Sequence, residues 1–271
     1  MPELPEVEVT CLGLKPLLSL SVKQIVIRNY SLRWPINPKL PQILKKQTLL
    51  NLDRRGKYIL AKFSDGTLII HLGMSGRLCI VSDRDLLNKH DHVDIIFKEK
   101  NLILRYKDPR RFGSILWTEK DPYSHKLIKN MGVEPLDDKF NTEYLYQKLK
   151  NKNQCIKNSI MDSHLVVGVG NIYASESLYY AGIRPYRVSK KITKKKLSIL
   201  VKSIKDVIRN AIVRGGSTMN DFFDVNGENG YFQNEHKVYG RENQPCYQCK
   251  FPINQLRLGQ RSSFFCKKCQ R

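Results

Sequence analysis

Between residues 22 and 117 the chain alternates short apolar runs with turn-forming residues, at a spacing that suits strands. The runs at 22–28, 57–63, 67–72, 93–97, 101–106 and 114–117 are rich in β-branched and aromatic residues, which pack well on a pleated surface. Asp65-Gly66, between two of these runs, predicts a hairpin. Short strands bounded by turns, with no helical pattern between them, point to a pair of packed sheets rather than to βαβ units.

The texture changes around 132–138, and the pattern beyond becomes helical. After Thr193, which suits an N-cap, apolar residues fall at Leu197, Leu200, Val201, Ile204, Val207, Ile208, Ala211 and Ile212. Those positions share one face at helical period, and Gly215-Gly216 supplies the stop. Near the N-terminus, Pro5 followed by Glu6 and Glu8 fits the first turn of a helix. No internal repeat or low-complexity tract interrupts the pattern. A chain of 271 residues has room for one large domain or for two to three small ones.

Charge narrows the function classes. Lys and Arg number 47 against 25 Asp and Glu, a formal net charge of +22, which suits a polyanionic partner. A lysine-rich proteome gives the same surplus without function. No apolar run approaches the roughly 20 residues needed to span a bilayer. The opening MPELPEVEV, acidic and with an early proline, does not read as a signal or transit peptide. The expectation is a cytoplasmic nucleic-acid binder with no membrane partner.

Of seven cysteines, Cys11, Cys79 and Cys155 are isolated and read as small buried hydrophobes. Cys246, Cys249, Cys266 and Cys269 form C-x2-C-x16-C-x2-C, inside the spacing of structural zinc sites. Each C-x-x-C turn aims two thiolates at one tetrahedral centre, and a short hairpin between the turns brings them together. Two disulfides are the alternative, which an intracellular protein rarely keeps. The segment 246–271 carries six Lys or Arg and no acid. It stays cationic after four thiolates and one Zn2+ are counted, so it suits phosphate contact; a zinc ribbon that docks a protein is the other use.

The chain resembles the formamidopyrimidine-DNA glycosylases from end to end. The likeness rests on MPELPEVE at the N-terminus, HLGMSGRL at 71–78, KHDHVD at 89–94, YKDPRRFG at 106–113 and VVGVGNIYASE at 166–176. GYFQ at 230–233, VYGR at 238–241 and the terminal cysteines complete it. It implies an α+β multidomain protein with three parts: a two-sheet β-sandwich (2–131), a helix-two-turn-helix domain (132–225) and a β-hairpin zinc finger (236–271). The implied activity is that of a monomeric glycosylase and abasic-site lyase. It excises 8-oxoguanine and formamidopyrimidines from damaged double-stranded DNA and carries one structural Zn2+.

By itself Pro2 reads as a helix-entry device. The resemblance makes its nitrogen, exposed on removal of Met1, the nucleophile. An α-amino group has a reference pKa of about 8 and is partly neutral at neutral pH, unlike lysine; a helix starting nearby further disfavours its protonation. Glu3 is then the general acid that assists sugar-ring opening. Lys57, otherwise a surface lysine at a strand start, is assigned to proton transfer in β-elimination, and Arg261 to δ-elimination and phosphate clamping. Met74, Arg110 and Phe112, in what otherwise reads as a charged turn, match the three residues that fill the gap left by an extruded base. His90, Lys152 and Asn171 match contacts to the DNA backbone, Asn171 at a Gly-rich helix start where N–H groups meet phosphate. Glu176 is carried over more loosely, to the active-site pocket or its support.

Three features depart from the family pattern. Lys250 stands where glycine is usual, so a turn needing positive φ there is strained. Residues 155–161 are less apolar than expected, which weakens the assignment of Lys157. The loop 218–230, matching the segment that closes over a lesion, fixes no base preference. Two rivals differ in class. An endonuclease VIII-like enzyme for oxidised pyrimidines usually has glycine where this chain has Leu4, and lacks the full wedge. A non-catalytic zinc-finger DNA-binding descendant is expected to have lost Pro2, Glu3 or Lys57.

Overall fold

The computed structural model describes residues 1–82, 85–99, 102–217 and 235–271. Helix α1 (Leu4–Gly13) opens the chain. It is followed by β1 (Val22–Ile27), α2 (Leu40–Leu44), β2 (Leu49–Arg55), β3 (Tyr58–Phe63), β4 (Thr67–His71), β5 (Arg77–Val81), β6 (Asp91–Phe97), β7 (Ile103–Lys107) and β8 (Ser114–Thr118). The strands form two antiparallel sheets, ordered β2-β3-β4-β8 and β1-β6-β7-β5. Ile59, Phe63, Leu68, Ile70 and Ile115 from one sheet share a buried cluster with Val22, Ile25, Val93, Ile95, Phe97 and Tyr106 from the other. This is the expected sheet pair, and Val7, Leu14 and Leu17 of the opening segment seal it.

Two strands escaped the sequence reading, β2 and β5. Both lie at sheet edges; β2 (LLNLDRR) has no β-branched or aromatic residue and β5 (RLCIV) has only Ile80 and Val81, so neither shows the run that marks a strand. The β3–β4 hairpin closes as Asp65-Gly66 predicts, with the Phe63 N–H donating to the Gly66 carbonyl at 2.8 Å. Of the lone cysteines, Cys11 is buried as expected, whereas Cys79 and Cys155 are only half-buried.

The chain divides into two compact units. One comprises Met1–Lys129 with 214–217; the other comprises Asn130–Val213 with 235–271. The second unit holds α3 (Thr142–Leu149), α4 (Ile156–Ile160), α5 (Asn171–Tyr180), α6 (Lys194–Val213) and the antiparallel hairpin β9 (Ile253–Leu258) and β10 (Arg261–Cys266). The Thr193 carbonyl accepts the Leu197 N–H at 2.9 Å at the head of α6. That helix buries Leu197, Leu200, Val201, Ile204, Val207, Ile208 and Ala211, and after it Gly215 and Gly216 adopt φ of 76° and 84°. Helix α5 packs on α6 and on β10, and is buried from Ile172 to Tyr179.

Candidate active site and nucleic-acid interface

Pro2 is buried, as is Glu3, which is the N-cap of α1 with extended backbone. Oε2 of Glu6, one turn on, accepts the Glu3 N–H at 2.8 Å. Oε1 of Glu6 accepts the Ser217 N–H, also at 2.8 Å. One buried carboxylate thus holds the backbone beside Pro2 and the point where the chain enters 218–234. It sits at the positive end of α1, where a negative charge is favoured.

Lys57 follows Gly56 at the β2–β3 turn, where Gly56 has φ 57°. Opposite, at the end of β4, the His71 ring lies 4.7 Å from that of Tyr58. Its Nδ1 accepts the Gly73 N–H at 3.0 Å, leaving the ring proton on Nε2. Burial, with the charges of Lys57 and Arg33 nearby, pushes His71 down to about 4. The imidazole is therefore neutral at pH 7 and adds no charge to those of Lys57 and Arg33.

The β4–β5 and β7–β8 connections carry Met74, Arg110 and Phe112. Met74 is 38% exposed and Phe112 46% exposed, large apolar groups left in water. The Arg110 guanidinium stacks 4.9 Å from the Phe112 ring centroid. His90 is exposed just before β6, edge-on to the buried His92.

In the second unit Asn171 opens α5 behind Gly170, and its Nδ2 donates to the Ser262 carbonyl at 3.1 Å. Arg261, one residue before, is exposed, and its guanidinium lies 4.0 Å from Met161 Sδ. Lys157 is buried; its Nζ donates to the Ser262 carbonyl at 2.9 Å and to Ser263 Oγ at 2.6 Å. The weakly matched segment 155–161 therefore anchors the hairpin that bears Arg261. Lys152 pairs with Asp162 at 3.2 Å. The buried Glu176 carboxylate accepts N–H bonds from Lys237, Val238 and Tyr239 at 2.8, 3.0 and 2.8 Å. Burial nevertheless raises its pKa against those three donors.

The four terminal cysteines bring their sulfurs within 4.8 Å of one another. Cys249 and Cys266 are 3.4 Å apart, Cys246 and Cys269 3.9 Å. A tetrahedral ion with Zn–S bonds of about 2.3 Å needs sulfurs about 3.8 Å apart, so the donor set fits one structural Zn2+. The knuckle turn places Lys250 at φ 62°, the left-handed conformation for which glycine is the unstrained residue.

With this geometry in place, the comparisons with known proteins are specific. The family model for the formamidopyrimidine-DNA glycosylase N-terminal domain matches residues 1–115, and that for the H2TH domain of the same enzymes matches 131–223. The chain belongs to the formamidopyrimidine-DNA glycosylase family. It is 52% identical over 270 residues to the formamidopyrimidine-DNA glycosylase of Methylobacillus flagellatus, covering 100% of this chain and 96% of that one. Its fold is similar to Lactococcus lactis Fpg solved with N7-benzyl-Fapy-dG-containing DNA, with TM-score 0.92, 30% identity and 100% of both chains covered. It is also similar to the same enzyme with abasic-site-containing DNA, with TM-score 0.91, 30% identity and 99% of both chains covered.

Within this glycosylase, Pro2, Glu3, Lys57, Met74, His90, Arg110 and Phe112 lie in the sandwich unit, whereas Lys152, Asn171, Arg261 and the four cysteines lie in the other. The loop 218–230 and the GYFQ motif at 230–233 fall outside the described residues. The sequence reading gave Glu6 only as a first-turn acid and passed over Ser75 and Asp108. Each is a buried polar residue within a motif already noted, but nothing in the pattern separates a buried carboxylate from a solvated one. Among the described residues no helix is long and apolar enough to cross a membrane.

Proposed function

We propose that this chain is a bifunctional DNA glycosylase and abasic-site lyase that excises 8-oxoguanine and formamidopyrimidines from duplex DNA, with Pro2 as nucleophile. The observation that carries the reading is the buried Pro2-Glu3 pair at the head of α1, in a chain of this family. Once Met1 is removed, the Pro2 nitrogen attacks the sugar C1′ and the bond to the base breaks, the electron pair leaving with the base, which is then protonated. Opening of the sugar ring yields an iminium, and Glu3 delivers a proton to the ring oxygen as that bond breaks. A secondary amine forms an iminium that cannot discharge by losing a proton from nitrogen. It acts as an electron sink that acidifies C2′. Lys57 assists loss of that proton as the 3′ phosphate departs, and Arg261 holds the phosphate that leaves in the second elimination. Water then releases the sugar fragment and regenerates the amine.

Met74, Arg110 and Phe112 fill the gap in the stack, and His90, Lys152 and Asn171 hold the DNA backbone. Cys246, Cys249, Cys266 and Cys269 hold the zinc, which supplies folding energy to the finger. The exposed apolar Met74 and Phe112 and the exposed Arg261 support these roles. The working parts fall into a sandwich (2–131), a helical domain (132–225) and a finger (236–271), and the enzyme acts as a cytoplasmic monomer on the nucleoid. The test is borohydride trapping on an 8-oxoguanine duplex beside intact-mass analysis. Trapping with Met1 absent is expected, and Pro2→Gly keeps binding but loses most trapping. An active preparation that retains Met1 overturns the mechanism.

A further inference from the structure

We propose that Asp108, clasped to Ser75, is a positioning residue that sets the Met74, Arg110 and Phe112 wedge in place before DNA arrives; this rests on the wedge reading above. Asp108 is wholly buried in the sandwich unit. Its Oδ1 accepts the Ser75 hydroxyl at 2.7 Å, and its Oδ2 accepts the Tyr106 hydroxyl at 3.0 Å and the Gly113 N–H at 2.9 Å. Ser75 Oγ in turn accepts the Arg110 N–H at 3.2 Å. The Asp108 main chain joins a third loop. Its N–H donates to the His90 carbonyl at 3.1 Å, and its carbonyl accepts from His92 Nε2 at 2.8 Å.

A buried carboxylate is costly unless several donors satisfy it. Here the donors come from both wedge loops, so the cost of burial is recovered only when the two loops are in register. The backbones also meet directly. A Cβ on Gly113 would lie 2.6 Å from the His71 carbonyl oxygen at the end of β4, and one on Gly73 would lie 2.4 Å from the Phe112 carbonyl carbon. Neither loop has room to move past the other, while the side chains they present stand in solvent. The scaffold is therefore fixed, and DNA binding has only the exposed tips left to order. Loss of the clasp then slows base extrusion without touching the nucleophile.

The experiment compares Ser75→Ala and Asp108→Asn with Arg110→Ala and Phe112→Ala in the full-length protein. Two substrates are used: an 8-oxoguanine duplex with 2-aminopurine beside the lesion, and a single-stranded abasic oligonucleotide, which has no stack to wedge open. Loss of one charged hydrogen bond predicts about a tenfold slower fluorescence rise and excision on the duplex for Ser75→Ala. Trapping on the single strand is expected to stay within about twofold of the parent, and Ser75→Thr to restore the duplex rate. Ser75→Ala alone decides the matter if Asp108→Asn does not fold. Parent-like duplex rates in Ser75→Ala, or a parallel loss on both substrates, overturn the clasp while Arg110→Ala and Phe112→Ala remain slow. If those two are also parent-like, the wedge reading itself fails.

Discussion

The two compact units hold the exposed residues proposed to meet DNA by different means. In the sandwich, Met74, Arg110 and Phe112 stand on loops anchored through Asp108 above a large apolar core. In the other unit, Arg261 stands on a two-stranded hairpin. The apolar cluster beneath is small, and two zinc-site cysteines, Cys246 and Cys266, belong to it. A hairpin of that size is marginal alone. It needs the metal, the Lys157 bonds to 262–263 and the Glu176 bonds to 237–239. The difference teaches that a loop resting on a deep core can be set by one polar residue, whereas a small module needs metal–ligand bonds and several separate anchors.

Removing a ligand should break this contrast most severely. Cys249→Ser is expected to drop zinc well below one per chain and unfold the hairpin, because structural zinc binding is worth about 10–16 kcal/mol in small modules. Zinc content beside lesion-DNA affinity checks this; a variant that keeps zinc and affinity shows that the finger stands without its fourth thiolate.

Acid tests both units at once, because each has a histidine strongly disfavoured from protonation by burial. His71 in the sandwich and His236 in the other unit are both pushed from 6.5 down to about 4. Below pH 6.5 the unfolded chain takes up these protons and the folded chain does not. The stabilisation is complete above 6.5 and is lost as pH falls towards 4. At about 1.4 kcal/mol for each pKa unit, the loss is about 1–3 kcal/mol per histidine. Urea unfolding from pH 7.5 to 4.5 measures it, and His71→Gln should flatten the sandwich share; an unchanged slope places the acid sensitivity elsewhere.

Arg261→Ala separates the finger's folding from its chemistry. All four thiolates remain, so zinc stays near one per chain, while a lost charged phosphate contact costs about 1.5–3 kcal/mol in binding or in the second elimination. Normal product distribution would make Arg261 an ordinary surface residue. The smallest effect is expected at the knuckle, where Lys250→Gly relieves a left-handed backbone and raises finger stability by roughly 0.5–1 kcal/mol, read as slower zinc loss to a chelator.

Local pattern and spacing made much of this protein legible. Short β-branched and aromatic runs bounded by turns announced six of the eight sandwich strands, because such side chains pack well on a pleated surface. The 3.6-residue period announced α6, and the paired C-x-x-C turns announced a metal, because each spacing is the signature of a local geometry. Strands β2 and β5 stayed hidden because β2 has no β-branched or aromatic residue and β5 only two. Pro2, Glu3 and the wedge were legible only through resemblance to a family, since a proline after methionine and a charged turn have ordinary structural uses. What the tertiary structure alone decided is which polar residues are buried. Glu6, Asp108, Lys157 and Glu176 look like any surface charge in the sequence. Their partners lie on other loops or elements, often far along the chain, and a hydrogen bond between distant residues leaves no period for a sequence to display.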